Sequence, residues 1–333
     1  MDITTTAVSQ SRYSVCAVGS YVKCWGNNYT GIFGAGTSAN TAQTSAKSAM
    51  DDMRYAENIS LGYGSACASF SGAIKCLGTN DKGQLGNGTT TDSKTAAVVV
   101  QGLSQSITQL ASGSHYTCGL ESGGGVKCWG YNSSGQLGDG STTNRTSAVS
   151  VSGITGATFI GAGGGSTTCA IVANGAVKCW GDNSRGGLGN GSTSNSSTPV
   201  SVSGITGATK VFTNYGGTSC ALINDGKIKC WGYNYYGQVG NGTTTTSFPY
   251  GVMTPATVSG ISNAVDLNVG NGHVCAVLAD GAVKCWGSND GGQLGIGEGQ
   301  SAGTSTPQAV PGITNAVAIG HGDGIYTLSL IHI

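Results

Sequence analysis

The chain has 333 residues, of which 59 are Gly and 12 are Cys, and charged types make up only 9 %. Fifteen Lys and Arg balance fifteen Asp and Glu, with no long block of either sign, which disfavours a surface that tracks phosphates, so no nucleic-acid partner is expected. No apolar run reaches the roughly 18 residues a membrane helix needs, so no membrane span is expected, and the regular return of Trp, Leu, Val and Cys separates this Gly-rich chain from disordered sequence.

Residues 1 to 18, MDITTTAVSQSRYSVCAV, lack the basic start and apolar centre of a secretory signal. The repeat is entered near Ile3, so any export signal is expected upstream. Cys-Trp-Gly begins at Cys24, Cys128, Cys179, Cys230 and Cys285, and Cys76 opens a variant with Leu77 in place of Trp. Successive copies are offset by 52, 52, 51, 51 and 55 residues. The repeats are read as about 1–58, 59–106, 107–156, 157–207, 208–263 and 264–315, with a partial copy at 316–333, forming a single domain over 1–333.

Within a copy, two short alternating runs flank a Gly-containing turn, the pattern of a tight antiparallel hairpin. Cys118 and Leu120 then face Cys128 and Val126; Ile171 faces Val177 across Asn174, and Val277 faces Val283 across Asp280. In the second copy the loop is one residue shorter, yet Cys67 and Cys76 still come out opposite. Opposed residues on antiparallel strands lie about 4.5–5.5 Å apart, within disulfide reach. The expected pairs are Cys16–Cys24, Cys67–Cys76, Cys118–Cys128, Cys169–Cys179, Cys220–Cys230 and Cys275–Cys285, with six pairs of reduced core thiols as the alternative. An even count with none left over suits an oxidising compartment. Seven to nine residues between partners do not match a zinc knuckle, so no metal is expected.

After each Cys-Trp-Gly comes one variable residue and then Asn, as Asn28, Asn80, Asn132, Asn183, Asn234 and Asn289. A G-x-x-G follows, whose apolar residue (Phe33, Leu85, Leu137, Leu188, Val239, Leu294) is expected to plug the core. No helix follows these glycines, so a phosphate cradle is disfavoured and no cofactor is expected. About four short strands per copy give an all-β chain, and strands at this spacing fit a propeller of four-stranded blades.

CAVLADGAVKCWGSNDGGQLGIG, from Cys275, resembles the repeat of the regulator-of-chromosome-condensation family, and the resemblance covers nearly the whole chain. It implies a seven-bladed β-propeller with six complete repeats of about 51 residues. The seventh, ITNAVAIGHGDGIYTLSLIHI from Ile313, would be truncated, with Ile325 where Cys275 aligns. The paired-cysteine version is similar to a branch found in exported bacterial proteins. Members of the family exchange nucleotide on a small GTPase and bind chromatin, inhibit β-lactamases, or serve as binding platforms.

The function expected is therefore a non-enzymatic binding module, secreted or at the cell surface, that engages a protein or a surface polymer through a propeller face or rim. It would be a monomer or part of a longer chain. Frame residues build the blades, so contacts should sit where copies differ. Those positions hold Tyr131, Arg185, Tyr233, Tyr235 and Tyr236, together with Tyr29 and Lys82, and Tyr and Arg dominate contact energy at interfaces. The long connections 37–58 (Asp51, Asp52, Arg54, Tyr55) and 243–259 (Phe248, Tyr250) are second candidates. The five Trp residues are assigned to packing between blades. A lyase or hydrolase working in the central channel is the alternative, and would call on His115, His273, His321 or His332 with a carboxylate. Nucleotide exchange on a small GTPase is the third reading.

Overall fold

Apolar residues at alternate positions, broken by Gly turns, give each repeat four short antiparallel strands. A computed structural model describes residues 7–11, 14–28, 30–33, 43–48, 53, 55–71, 73–297, 303–322 and 329–331. The strands form blade 1 (Ala7–Gln10, Ser14–Val18, Lys23–Gly26, Gln43–Ser48) and blade 2 (Asn58–Leu61, Ser65–Phe70, Ala73–Gly78, Ser93–Val99). Blade 3 holds Ile107–Ser112, Tyr116–Glu121, Val126–Gly130 and Arg145–Ser150; blade 4 holds Phe159–Ala162, Thr167–Val172, Ala176–Gly181 and Ser196–Ser201. Blade 5 is Ala208–Thr213, Thr218–Ile223, Ile228–Tyr233 and Gly251–Thr257, and blade 6 is Ala264–Val269, His273–Leu278, Val283–Gly287 and Thr304–Ala309. Each blade is a meander in chain order, and the first strands line the central channel.

The expected seventh blade has to be corrected: the propeller has six. After blade 6, Ala316–Ile319 pairs antiparallel with Ser329–Ile331 as a two-stranded sheet. His321–Gly322 instead runs parallel to Ser9–Gln10 and joins the sheet of blade 1. The reason lies in the chain itself. After Ile313 there is no opposed pair of cysteines, no Cys-Trp-Gly and no G-x-x-G, so the frame that builds a blade is missing.

The six cysteine pairs are opposed in register and bonded, with Cα atoms 4.0–4.1 Å apart. The shortened hairpin of blade 2 keeps Cys67 opposite Cys76. Each bridge lies inside an apolar cluster shared between neighbouring blades.

The indoles join one blade to the previous one. Trp129, Trp180, Trp231 and Trp286 are fully buried, and their Nε1 atoms donate to the carbonyls of Gln84, Gln136, Gly187 and Gln238 at 3.1, 2.9, 2.8 and 2.9 Å. Those acceptors lie in the G-x-x-G turn of the preceding blade. The last Gly of that turn makes room for the ring. At Gly138 a Cβ would sit 2.8 Å from Trp180 Nε1, and its φ of +67° is one that other residues resist. In blade 2, Leu77 takes the Trp position and packs with Phe33 of blade 1. Trp25 of blade 1 is half-buried.

The repeated Asn holds the turn itself. Asn132 is fully buried; its Oδ1 accepts from Leu137 N at 2.9 Å, and its Nδ2 donates to the carbonyls of Ser141 and Thr143 at 3.1 and 3.0 Å. The same Asn-to-apolar bond recurs from Asn28 to Asn289. An unsatisfied buried amide would be costly, which is why this position does not vary between copies.

Candidate functional site

In a four-stranded meander the first-to-second and third-to-fourth connections emerge at the same end. All six blades therefore bring the variable turns after Cys-Trp-Gly, and the loops beside the channel, to one face, here called the upper face. Two groups of aromatic side chains lie on it.

The first group spans blades 4 and 5. The Arg185 guanidinium lies 4.3 Å from the centre of the Tyr233 ring, and its Nη1 donates to Gly216 O at 3.1 Å. Tyr233 is stacked with Tyr235, their planes 7° apart, and Tyr236 meets both edge-on. Tyr250 packs against Tyr235, and Phe248 against Tyr250. Burial pushes the Tyr233 hydroxyl above its ordinary value, against the pull of Arg185. The outer rings are open to solvent: Phe248 is 80 % exposed, Tyr235 43 % and Tyr236 39 %.

Of the residues singled out in the sequence, Arg185, Tyr233, Tyr235 and Tyr236 are thus brought together, and Phe248 and Tyr250 from the 243–259 connection join them. Tyr131 is not with them. It lies at the channel mouth, 6.5 Å from the His115 ring, which in turn meets Tyr63 edge-on at 5.4 Å. Lys82 is engaged with its neighbour Asp81 at 3.0 Å. Tyr29, Asp51, Asp52, Arg54 and His332 lie outside the described residues.

The second group, at the mouth, walls a cleft of about 400 Å³ lined by Tyr63, His115, Tyr131, Tyr215 and several serines. Tyr63 and Tyr215 had not been singled out. Their signal was an aromatic residue set among glycines, Gly62-Tyr63-Gly64 and Tyr215-Gly216-Gly217, in a loop the repeat frame leaves unmarked. Deeper in the channel, the Lys210 Nζ meets the buried Asp266 carboxylate at 2.6 Å, and Ile319 N donates to the other oxygen at 3.1 Å. Among the described residues no cluster of three or more His, Cys, Asp or Glu side chains is placed to hold a metal ion.

His273 belongs to the blade rather than the channel. It is fully buried on the second strand of blade 6, where the glycine at position 270 leaves space for its ring. Burial lowers its pKa from 6.5 to about 4, against the bond the imidazole donates to the Asn271 backbone carbonyl. The unfolded chain then takes up the proton first as pH falls. Stability should be full above about pH 6.5, decline by about 3 kcal/mol on going down to about pH 4, and be flat below that on this account. Urea midpoints across this range check it. His273→Thr, the type found at the same place as Thr167 and Thr218, should remove that slope; an unchanged slope would assign it to other groups.

Two models of the regulator of chromosome condensation (RCC1) repeat match the chain, one at 107–136, 158–186, 209–238 and 264–293, the other at 174–222, 225–277 and 280–326. The chain is 28 % identical over 325 residues to the ultraviolet-B receptor UVR8 of Arabidopsis thaliana, covering 96 % of this chain and 70 % of that protein. It is 29 % identical over 229 residues to the human E3 ubiquitin-protein ligase HERC2, a match that covers 66 % of this chain but only 5 % of the ligase. Among solved structures, Prp20p of Saccharomyces cerevisiae superposes with a TM-score of 0.83 at 20 % identity, over 97 % of this chain and 80 % of that one.

Proposed function

The chain belongs to the regulator of chromosome condensation (RCC1) repeat family, and from that premise we propose that it is a non-enzymatic binding module acting outside the cytoplasm. Its contact surface is the upper face, centred on Arg185, Tyr233, Tyr235, Tyr236, Phe248 and Tyr250, and its partner is a protein. The observation that carries this is the run of interlocked, solvent-open rings around one guanidinium. Rings held by each other lose little side-chain freedom on binding, and Tyr and Arg are the types found at energetic centres of interfaces. Prp20p, of the same fold, has been studied for its binding to Gsp1p and histones. No free cysteine occurs among the described residues, and disulfides persist in oxidising compartments, which supports an exported protein.

The test compares binding of the labelled, oxidised protein to intact cells of its source with that of Tyr235→Ala/Tyr236→Ala/Phe248→Ala. These side chains are exposed, so the fold should be kept, and affinity should fall by roughly tenfold or more. Lys227→Ala, in a hairpin at the opposite face, should bind as the parent does. Equal binding by the triple variant would sink the reading.

A further inference from the structure

The cleft at the channel mouth is built differently from the aromatic surface beside it. Tyr63, His115, Tyr131 and Tyr215 supply ring walls, Ser11, Ser114 and Ser166 supply hydroxyls, and no Asp, Glu, Lys or Arg lines it. We propose that this cleft is a binding site for a neutral carbohydrate, a mono- or disaccharide unit seated over the mouth of the channel.

Size, charge and polarity narrow the ligand to this class. A volume of about 400 Å³ falls inside the roughly 300–1,000 Å³ of small-molecule sites. A charged ligand would lose its hydration without meeting an opposite charge on the walls, which is costly. A hydrocarbon would cover the rings but leave the serine hydroxyls dry. A sugar ring presents both surfaces, C–H groups for the faces of Tyr63, Tyr131 and Tyr215 and hydroxyls at its edge. Tyrosine matches it, being an apolar body with a polar tip.

Two polar side chains of the lining can serve such an edge. The His115 Nδ1 is buried with no hydrogen-bond partner among the described residues. A half-turn of the ring about its Cβ–Cγ bond would bring that nitrogen to the cleft, where a sugar hydroxyl, able to donate or accept, would satisfy it in either tautomer. The Ser166 Oγ accepts from Gln136 Nε2 at 3.2 Å, which leaves its own proton to donate. Burial holds the His115 imidazole below its ordinary pKa, against Asp81 and with Lys82, which keeps the site neutral at physiological pH.

The walls come from several blades. Ser11 stands in blade 1, Tyr63 in blade 2, His115 and Tyr131 in blade 3, Ser166 in blade 4 and Tyr215 in blade 5. None is a frame residue shared by all copies. Among the described residues this cleft therefore has no repeat-related copy, as expected of a site and not of a packing motif.

The experiment is saturation-transfer NMR on the full, oxidised chain with glucose, galactose, mannose, N-acetylglucosamine, cellobiose and maltose, and with glucuronic acid as the charged control. At least one neutral sugar should bind saturably, and glucuronic acid should not. Tyr63→Ala and Tyr215→Ala, both at exposed rings, should each raise Kd roughly tenfold without lowering Tm. His115→Phe keeps a ring wall but removes Nδ1; it should lose affinity and keep its Tm. Tyr235→Ala should leave sugar binding unchanged, so this site and the protein-binding surface fail or survive separately. No binding by any neutral sugar, equal binding of glucuronic acid, or binding indifferent to Tyr63, Tyr215 and His115 would overturn the proposal.

Discussion

Reduced in denaturant and returned to buffer with the reductant still present, the chain should not recover a cooperative unfolding transition. Each bridge closes a hairpin eight to ten residues apart in sequence, and loop-closure entropy makes that worth about 3 kcal/mol. Six such contributions exceed the roughly 5–15 kcal/mol by which folded domains outlast their unfolded chains. All twelve cysteines are buried, at 3 % exposure or less, so reductant without denaturant should act slowly. The measurement is a thermal melt by circular dichroism on the refolded chain, with an oxidised sample taken through the same steps. Cys169→Ala/Cys179→Ala should on its own lower the unfolding free energy by about 3 kcal/mol. A reduced chain that melts like the oxidised one would remove the bridges as the source of stability, and with them the case for an exported protein.

Trp180→Ala should cost about 3–5 kcal/mol in urea unfolding, the range for truncating a large buried ring. The loss has two parts. A cavity opens between blades 3 and 4, and the Gln136 carbonyl loses the indole proton it accepts at 2.9 Å. Gly138→Ala should also destabilise, because its Cβ would meet the same indole and its backbone stands at a positive φ. With the ring already gone, only the backbone part of that second cost should remain. The pair should therefore be non-additive by about 1 kcal/mol or more. Additive effects would show that the indole and the glycine are not one joint.

What could be read in advance was what the repeat frame dictates. The opposition of Cys118 and Cys128 follows from counting outward from a turn, and a Trp kept in five copies pointed to one shared contact, which four of them make while Trp25 stays half-buried. The blade number could not be had this way. It depends on whether the residues after Ile313 pair among themselves or with blade 1, and His321–Gly322 chose the backbone of Ser9 and Gln10. The family resemblance suggested seven where the pairing makes six. At the surface, Arg185 and Tyr233 could be set side by side because equivalent turns of adjacent blades are neighbours. Tyr131 occupies the same kind of turn one blade earlier, yet it lies at the channel mouth beside His115. That choice was invisible, because it depends on a loop outside the frame. Tyr63 and Tyr215 were missed for the same reason.

Leu77 has a consequence for how the ring breathes. Four junctions are latched by an indole proton, but the one between blades 1 and 2 packs Leu77 with Phe33 in its place, with the bond from Leu61 N to Ser9 Oγ at 3.1 Å across it. A joint without that latch should part before the four that have it, and amide exchange should be faster in the strands on either side of it than at the latched junctions. Ser11 and Tyr63 stand on opposite lips of that joint at the channel mouth. A guest seated there would act as a clasp, tightening the ring by closing a seam that lacks the latch.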